Sequence, residues 1–193
     1  MTYAMKRKKY FKLPPDAIIE EMTDGSYQQE RKAIIGRTKE IYRLFGPPRG
    51  MLFSGGVITA DAYFEMINSY IFGLYISTVF AAHALIESAL SFDFMLDSKD
   101  QAIAEGGLSK IIAASLERGY ISKELYDRLD ELRTMRIAYF HSHVGLNKRS
   151  AMKRYLDKKL YGVKLHRKDA MDALKIVHQL LNETSPGFFG REK

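Results

Sequence analysis

Residues 123–143 form a predicted helix that carries ionisable side chains on the face expected to pack. Its stripe, in steps of four and three, comprises Leu125, Leu129, Leu132, Arg136, Tyr139 and His143. A guanidinium on a packed face is unfavourable unless it is paired or faces a ligand. Arg136 is therefore a group that snorkels to solvent, one half of a structural ion pair, or a functional group.

A second pair of such residues, His83 and Glu87, lies one turn apart on a long predicted helix. These two side chains either satisfy each other in the core or take part in a site. Together with His141 and His143 they have the residue types and spacings of a metal site. The ligand set is sparse, because the chain has no cysteine and no aspartate cluster. We therefore expect no metal and no cofactor.

Positive charge is concentrated between residues 148 and 168, where nine basic residues accompany a single acidic one, Asp157. Such a patch indicates a polyanionic partner, nucleic acid or an anionic membrane surface, or else a solvated helix face. Met152, Leu156 and Leu160 recur every four residues, so we expect them to anchor a helix whose lysines point outward. The residues predicted to contact nucleic acid are Lys148, Arg149, Lys153, Arg154, Lys158 and Lys159.

The elements that must position these groups are all predicted to be helices. They comprise a short helix from Asp16 and helices at about 28–45, 60–96, 107–118, 123–143, 150–161 and 167–183. The expected N-caps are Thr59, Ser122 and Ser150, and the expected breakers are Gly119 and Gly162. No alternating strand pattern of useful length is present. The sequence predicts an all-α, up-and-down helical bundle at 57–184, preceded by a basic arm and short helical extension at 1–56 and followed by a tail at 185–193.

The composition of the 193 residues, 46% hydrophobic and 27% charged with no cysteine, excludes a disordered chain, a disulfide scaffold and a thiol nucleophile. The apolar run at 66–86 is long enough to span a membrane. It contains polar residues such as Asn68 and His83, which favour a buried central helix instead. No secretory signal is visible at the start. We therefore expect a cytoplasmic protein without a membrane segment.

The run LRTMRIAYFHS, from Leu132 to Ser142, resembles the signature of HEPN domains, helical bundles named for nucleotide binding in higher eukaryotes and prokaryotes. Their pattern is an arginine, four to six residues and a histidine, on a helix with a preceding leucine–arginine pair. Arg136 and His141 match with four residues between them, and His143 also fits the permitted spacing. The resemblance covers about residues 80–145. Ile137 stands where the family usually has a polar residue.

The resemblance implies a metal-independent endoribonuclease, of the kind found among toxins and defence effectors, that cleaves RNA by attack of the ribose 2′-hydroxyl. His141, with His143 in reserve, would move the proton, Arg136 would hold the phosphate and Glu87 would orient one of them. RNA, a second copy of the chain and an antitoxin or regulatory partner are the partners it implies. The polar centre of the helix at 123–143, flanked by apolar residues, independently suits a homodimer with a shared site.

Two other functions remain open from the sequence. Ile137 favours a catalytically silent HEPN-like module for dimerisation or nucleic-acid binding. The other alternative is a metal-dependent hydrolase or a membrane-associated helical protein.

Overall fold

The computed structural model describes residues 16–46, 53, 55–96, 99–140 and 150–184, with side chains from residue 26 onward except Ala151. Every regular element in these ranges is an α-helix, which confirms the all-α helical bundle. The helices are α1 (Asp16–Phe45), α2 (Gly56–Ile71), α3 (Tyr75–Met95), α4 (Gln101–Ala104), α5 (Leu108–Glu117), α6 (Lys123–Phe140), α7 (Ala151–Lys158) and α8 (Val163–Thr184).

The core of the bundle is organised around α3, which packs against α2, α5, α6 and α8. Leu85, Ile86 and Leu90 of α3 are fully buried, as are Leu129 of α6 and Leu174 of α8. Burial of each such side chain contributes about 1.5–3 kcal/mol to folding. Ile41 and Phe45 of α1 belong to the same core. The helix before residue 57 therefore packs on the bundle it precedes.

The predicted single helix at 60–96 is wrong, because the chain turns between Ile71 and Tyr75. Gly73 has φ +76°. Its amide donates to the carbonyl of Tyr70, and the amide of Leu74 donates to the carbonyl of Ser69. This is a Schellman termination, in which a left-handed glycine satisfies the last carbonyls of a helix. Thr59, the expected cap, lies inside α2 and is buried.

The two helices expected before residue 46 are one, since α1 runs without a break from Asp16 to Phe45. The segment contains no proline, and each of its two glycines, Gly25 and Gly36, costs only about 1 kcal/mol relative to alanine. Gly25 therefore does not end the helix.

Other predicted boundaries are confirmed by the cap geometry. The hydroxyl of Ser122 accepts from the amide of Leu125, and that of Ser150 from the amide of Lys153, each at 3.1 Å. Gly119 follows α5 with φ +71°, as expected for a C′ residue. The helix after Ser150 is shorter than predicted, because Lys159 adopts the left-handed conformation.

By length and composition alone, one helix in the described part of the chain, α3, could cross a membrane. Half of its most apolar window is buried inside the bundle. The core helix of a helical bundle has the same composition.

Candidate functional site

Arg136 lies at the edge of the buried face of α6, not at its centre. After Leu132 the fully buried position is Met135, and the next buried residue is Ala138. Residues 135 and 136 are about 100° apart on a helix. Arg136 is therefore only partly buried, and its guanidinium carbon lies 5.2 Å from the centroid of the Phe140 ring. This corrects the expectation that Arg136 continues the packed stripe, whereas Tyr139 is partly buried and packs against the core as expected.

His83 and Glu87 of α3 lie opposite this part of α6. The Nδ1 of His83 is 3.5 Å from the Oε2 of Glu87. His83 is buried, whereas the Glu87 side chain is 38% exposed. Burial lowers the pKa of His83 to about 4, and the positive charges of Arg136 and Arg133 act in the same direction. His83 is consequently neutral at pH 7. We call His83, Glu87, Arg133 and Arg136 the α3–α6 cluster.

The two arginines of this cluster differ in their partners. The Nε of Arg133 donates to Asp130 at 2.7 Å, so its charge is largely balanced. No carboxylate forms an ion pair with Arg136 among the described residues. The structure brings Glu87 to His83 and not to Arg136. Arg136 is therefore a half-buried cation that is available to an anionic ligand.

The other catalytic candidates, His141 and His143, lie outside the described residues, as do Lys148 and Arg149 of the predicted nucleic-acid contacts. The assignment of their roles stays a prediction. Within the described ranges no three histidine or carboxylate side chains come together as a metal site.

The basic helix α7 has the opposite orientation to the one expected. Met152 and Leu156 are exposed, whereas the side chains of Arg154 and Lys158 point inward. Residues 154 and 158 share one face of a helix, and residues 152 and 156 lie on the other. Lys153 pairs with Asp157, and Lys159 is exposed. The predicted apolar anchor is therefore wrong, and two of the predicted nucleic-acid contacts are held inside the protein.

Asp169 of α8 accounts for this orientation of α7. Its side chain is completely buried. Its oxygens accept from the Nη2 of Arg154 at 2.6 Å, from the Nζ of Lys158 at 3.4 Å and from the hydroxyl of Tyr139 at 2.8 Å. The Tyr139 oxygen is also 2.9 Å from the Nδ1 of His166. Sequence reasoning missed this Asp169 network. The sequence signal for this network was Asp169 itself, an acidic residue one turn after the buried Leu165 on the face of α8 that otherwise carries apolar residues.

Comparisons with known proteins identify no relative of this chain. The fold and the cluster define an all-helical bundle protein with a half-buried arginine that has no carboxylate partner among the described residues. No protein-family model, no curated protein and no solved structure matches the chain.

The depressed pKa of His83 predicts a specific pH dependence of stability. Unfolded histidine binds a proton near pH 6.5, whereas folded His83 resists protonation down to about pH 4. The unfolded state thus binds more protons between these values, and stability falls as the pH is lowered through this window. We expect His83 to account for a loss on the order of 1–3 kcal/mol between pH 7 and pH 4.

This loss can be measured by urea unfolding of the wild type and His83→Gln at pH 7, 5.5 and 4. The difference between the two proteins should shrink or reverse as the pH falls, because glutamine does not titrate. Parallel stability curves across this range would show that His83 is not held neutral.

Proposed function

We propose that this protein is a HEPN-like, metal-independent endoribonuclease whose phosphate-binding group is Arg136. The observation that carries the proposal is the state of that side chain. Arg136 is half-buried, has no carboxylate partner in the described part of the chain and begins the arginine–histidine motif that ends at His141. An arginine in this position can form bidentate bonds to a phosphate, which strengthen as negative charge develops.

The proposed reaction needs a nucleophile, a proton acceptor and charge stabilisation, and it needs no metal. The ribose 2′-oxygen attacks the adjacent phosphorus as a histidine accepts its proton, and the bond from phosphorus to the 5′-oxygen breaks. The leaving 5′-oxygen takes a proton, which leaves a 2′,3′-cyclic phosphate and a 5′-hydroxyl. His141 is the first candidate for the proton transfers and His143 the second.

The α3–α6 cluster supports Arg136 in this proposal because His83 and Glu87 leave the charge of Arg136 uncompensated. His83 is neutral and buried, so it adds no positive charge that would repel Arg136. Glu87 is directed to His83 and leaves the guanidinium without a counter-ion. A partly buried cation without a counter-ion attracts a phosphate more strongly than a fully solvated one.

A second copy of the chain belongs to the same proposal, because the surface beside Arg136 is apolar. Phe140 is exposed and its ring packs against Phe80 of α3, with 6.1 Å between the ring centroids. Ile76, one turn before Phe80, is also exposed. Exposed apolar groups around a polar centre suit an isologous interface that would bring two Arg136 side chains to one groove.

The proposal is tested by incubating mixed RNA with the protein in EDTA. We expect cleavage that leaves 2′,3′-cyclic phosphate ends, and a rate at least about 10²-fold lower for Arg136→Ala, since this variant lacks a principal transition-state donor. Arg128→Ala is the matched control, because Arg128 lies on the same helix and its guanidinium bonds to Gln179. It should retain the rate.

The same assay shows whether His141 or His143 transfers the proton. We expect His141→Ala to be more damaging than His143→Ala, and the reverse order would assign the proton transfer to His143. A well-folded wild type that binds RNA and leaves it intact in EDTA would contradict the nuclease and favour the silent module, in line with Ile137.

A further inference from the structure

An open depression of about 440 Å³ lies on the side of α8 that faces α1 and α2. We call it the α8 cleft. α8 supplies four cationic residues to the cleft, and they lie along one face of the helix because they occupy positions i, i+3, i+4 and i+11 counted from Lys164. Its main lining residues are Glu40, Tyr70, Lys164, Arg167, Lys168 and Lys175.

The carboxylates at the cleft already have partners. Glu40 accepts from the Nη2 of Arg167 at 2.7 Å and from the hydroxyl of Tyr70 at 2.6 Å. Partial burial raises the pKa of Glu40, but these two bonds and the charge of Arg167 outweigh it, so the pKa is lowered and Glu40 stays ionised. Asp172, also on the lining, lies 2.7 Å from the Nζ of Lys168.

Two lysines of the cleft are uncompensated. Within the described part of the chain, neither Lys164 nor Lys175 forms a hydrogen bond or an ion pair. The cleft therefore holds an excess of positive charge, in contrast to α7, where Arg154 and Lys158 are bound to Asp169. Of the basic segment at 148–168, Lys164 therefore lies at the cleft without a counter-ion among the described residues.

An exposed aromatic ring, outside the lining of the cleft, lies three residues before Lys164 in the chain. Tyr161 is 66% exposed and stacks on Tyr155, with 6.0 Å between the ring centroids and an interplanar angle of 18°. It precedes α8 by two residues and Lys164 by three. A row of cations with an aromatic ring beyond one end can bind single-stranded nucleic acid, because the cations contact the phosphates and the ring stacks on a base.

We propose that the α8 cleft binds the backbone of single-stranded RNA, with Lys164 and Lys175 on phosphates and Tyr161 stacking on a base. The choice of RNA rests on the proposed function. The two lysines are eleven positions apart in the sequence, which corresponds to about 16 Å along the helix. That length corresponds to about five stacked nucleotides at ~3.4 Å each. An acidic protein would use the charge but would have no need of the stacked Tyr161.

The test measures fluorescence anisotropy of a labelled 2′-O-methyl uridine decamer, which lacks the nucleophile for cleavage. For single strands, each phosphate that the protein neutralises adds ~0.7 to the steepness of log affinity against log salt concentration. We expect Lys164→Gln/Lys175→Gln to reduce this slope by about 1.4 and to weaken binding on the order of tenfold or more at low salt. Tyr161→Leu should weaken binding with little change in slope. Tyr161→Phe, which keeps the aromatic ring, should bind like the wild type.

A matched control is Lys32→Gln/Lys123→Gln, which removes the same charge from exposed lysines of α1 and α6 outside the cleft. Lys164→Arg/Lys175→Arg should bind like the wild type, which separates removal of charge from damage to the fold. An unchanged slope in the glutamine variant, or an equal weakening in the control, overturns the proposal. Binding of polyglutamate in place of the decamer overturns it in favour of an acidic protein partner.

The failure of this inference can be told apart from the failure of the proposed nuclease. If the decamer binds with the expected slopes but unmodified RNA remains intact, RNA binding at the cleft is supported and the nuclease activity is contradicted. If unmodified RNA is cleaved through Arg136 while the glutamine variant binds the decamer as well as the wild type does, the nuclease activity is supported and RNA binding at the cleft is contradicted.

Discussion

Replacement of Asp169 by alanine is expected to lower the free energy of unfolding by about 3–5 kcal/mol, the usual effect of removing one partner of a buried ion pair. The Asp169 carboxylate is inaccessible to solvent and bonds to Arg154 and Lys158. Without it, two cations of α7 remain at a poorly solvated position. The Nε of Arg154 is already buried without a hydrogen-bond partner among the described residues, so the guanidinium has little else to compensate its charge.

Urea unfolding at pH 7 measures this effect, with Asp157→Ala as the matched control. Asp157 is also bonded to a cation of α7, Lys153 at 2.7 Å, but both side chains are largely exposed. Its replacement should cost less than about 1 kcal/mol. Asp169→Asn should fall between the two, because it keeps an acceptor for Tyr139 and removes the charge. Equal effects at positions 169 and 157 would contradict the Asp169 network.

Much of the fold follows from local signals in the sequence. Ser122, Ser150 and Gly119 mark helix ends because a cap needs only a hydroxyl or a left-handed residue at one position. The break at Gly73 was missed, because its surroundings are apolar on both sides and hydrophobicity does not distinguish a turn from a helix interior. The positive φ of Gly73 and the hydrogen bonds that Gly73 and Leu74 donate to α2 reveal it.

The candidate site was less predictable, because periodicity defines the faces of a helix but not what each face meets. On an ideal helix Arg136 lies within the stripe set by Leu125 and Leu129, and Met135 lies about 80° or more away from it. Packing in the core nevertheless buries Met135. On α7 the apolar residues recur every four positions on one face and the basic residues on the other, and an amphipathic helix usually buries its apolar face. Here the basic face is turned inward, because it pairs with Asp169 of a different helix, eleven residues beyond Lys158.

Substitution of Gly55 by alanine is expected to destabilise the protein by about 2–4 kcal/mol, through backbone strain and overpacking together. Gly55 precedes α2 with φ +89°, a conformation that is unfavourable for a residue with a side chain. A Cβ at this position would also overlap the Oγ1 of Thr59 and lie 2.9 Å from the carbonyl oxygen of Ser88. The Thr59 hydroxyl cannot move away freely, since it is buried and bonds to the Ser88 hydroxyl at 2.8 Å.

Gly56 provides the matched control for this prediction, because it shares the left-handed backbone of Gly55 and differs from it in its surroundings. Its φ is +67°, and nothing lies within 4 Å of the position that a Cβ would take. Gly56→Ala should therefore show the backbone strain alone, about 1–2 kcal/mol. The difference between the two variants in urea unfolding isolates the close approach of α2 to α3, and equal destabilisation would contradict it. Ser88 directly follows Glu87, so this contact between α2 and α3 lies one residue from the α3–α6 cluster.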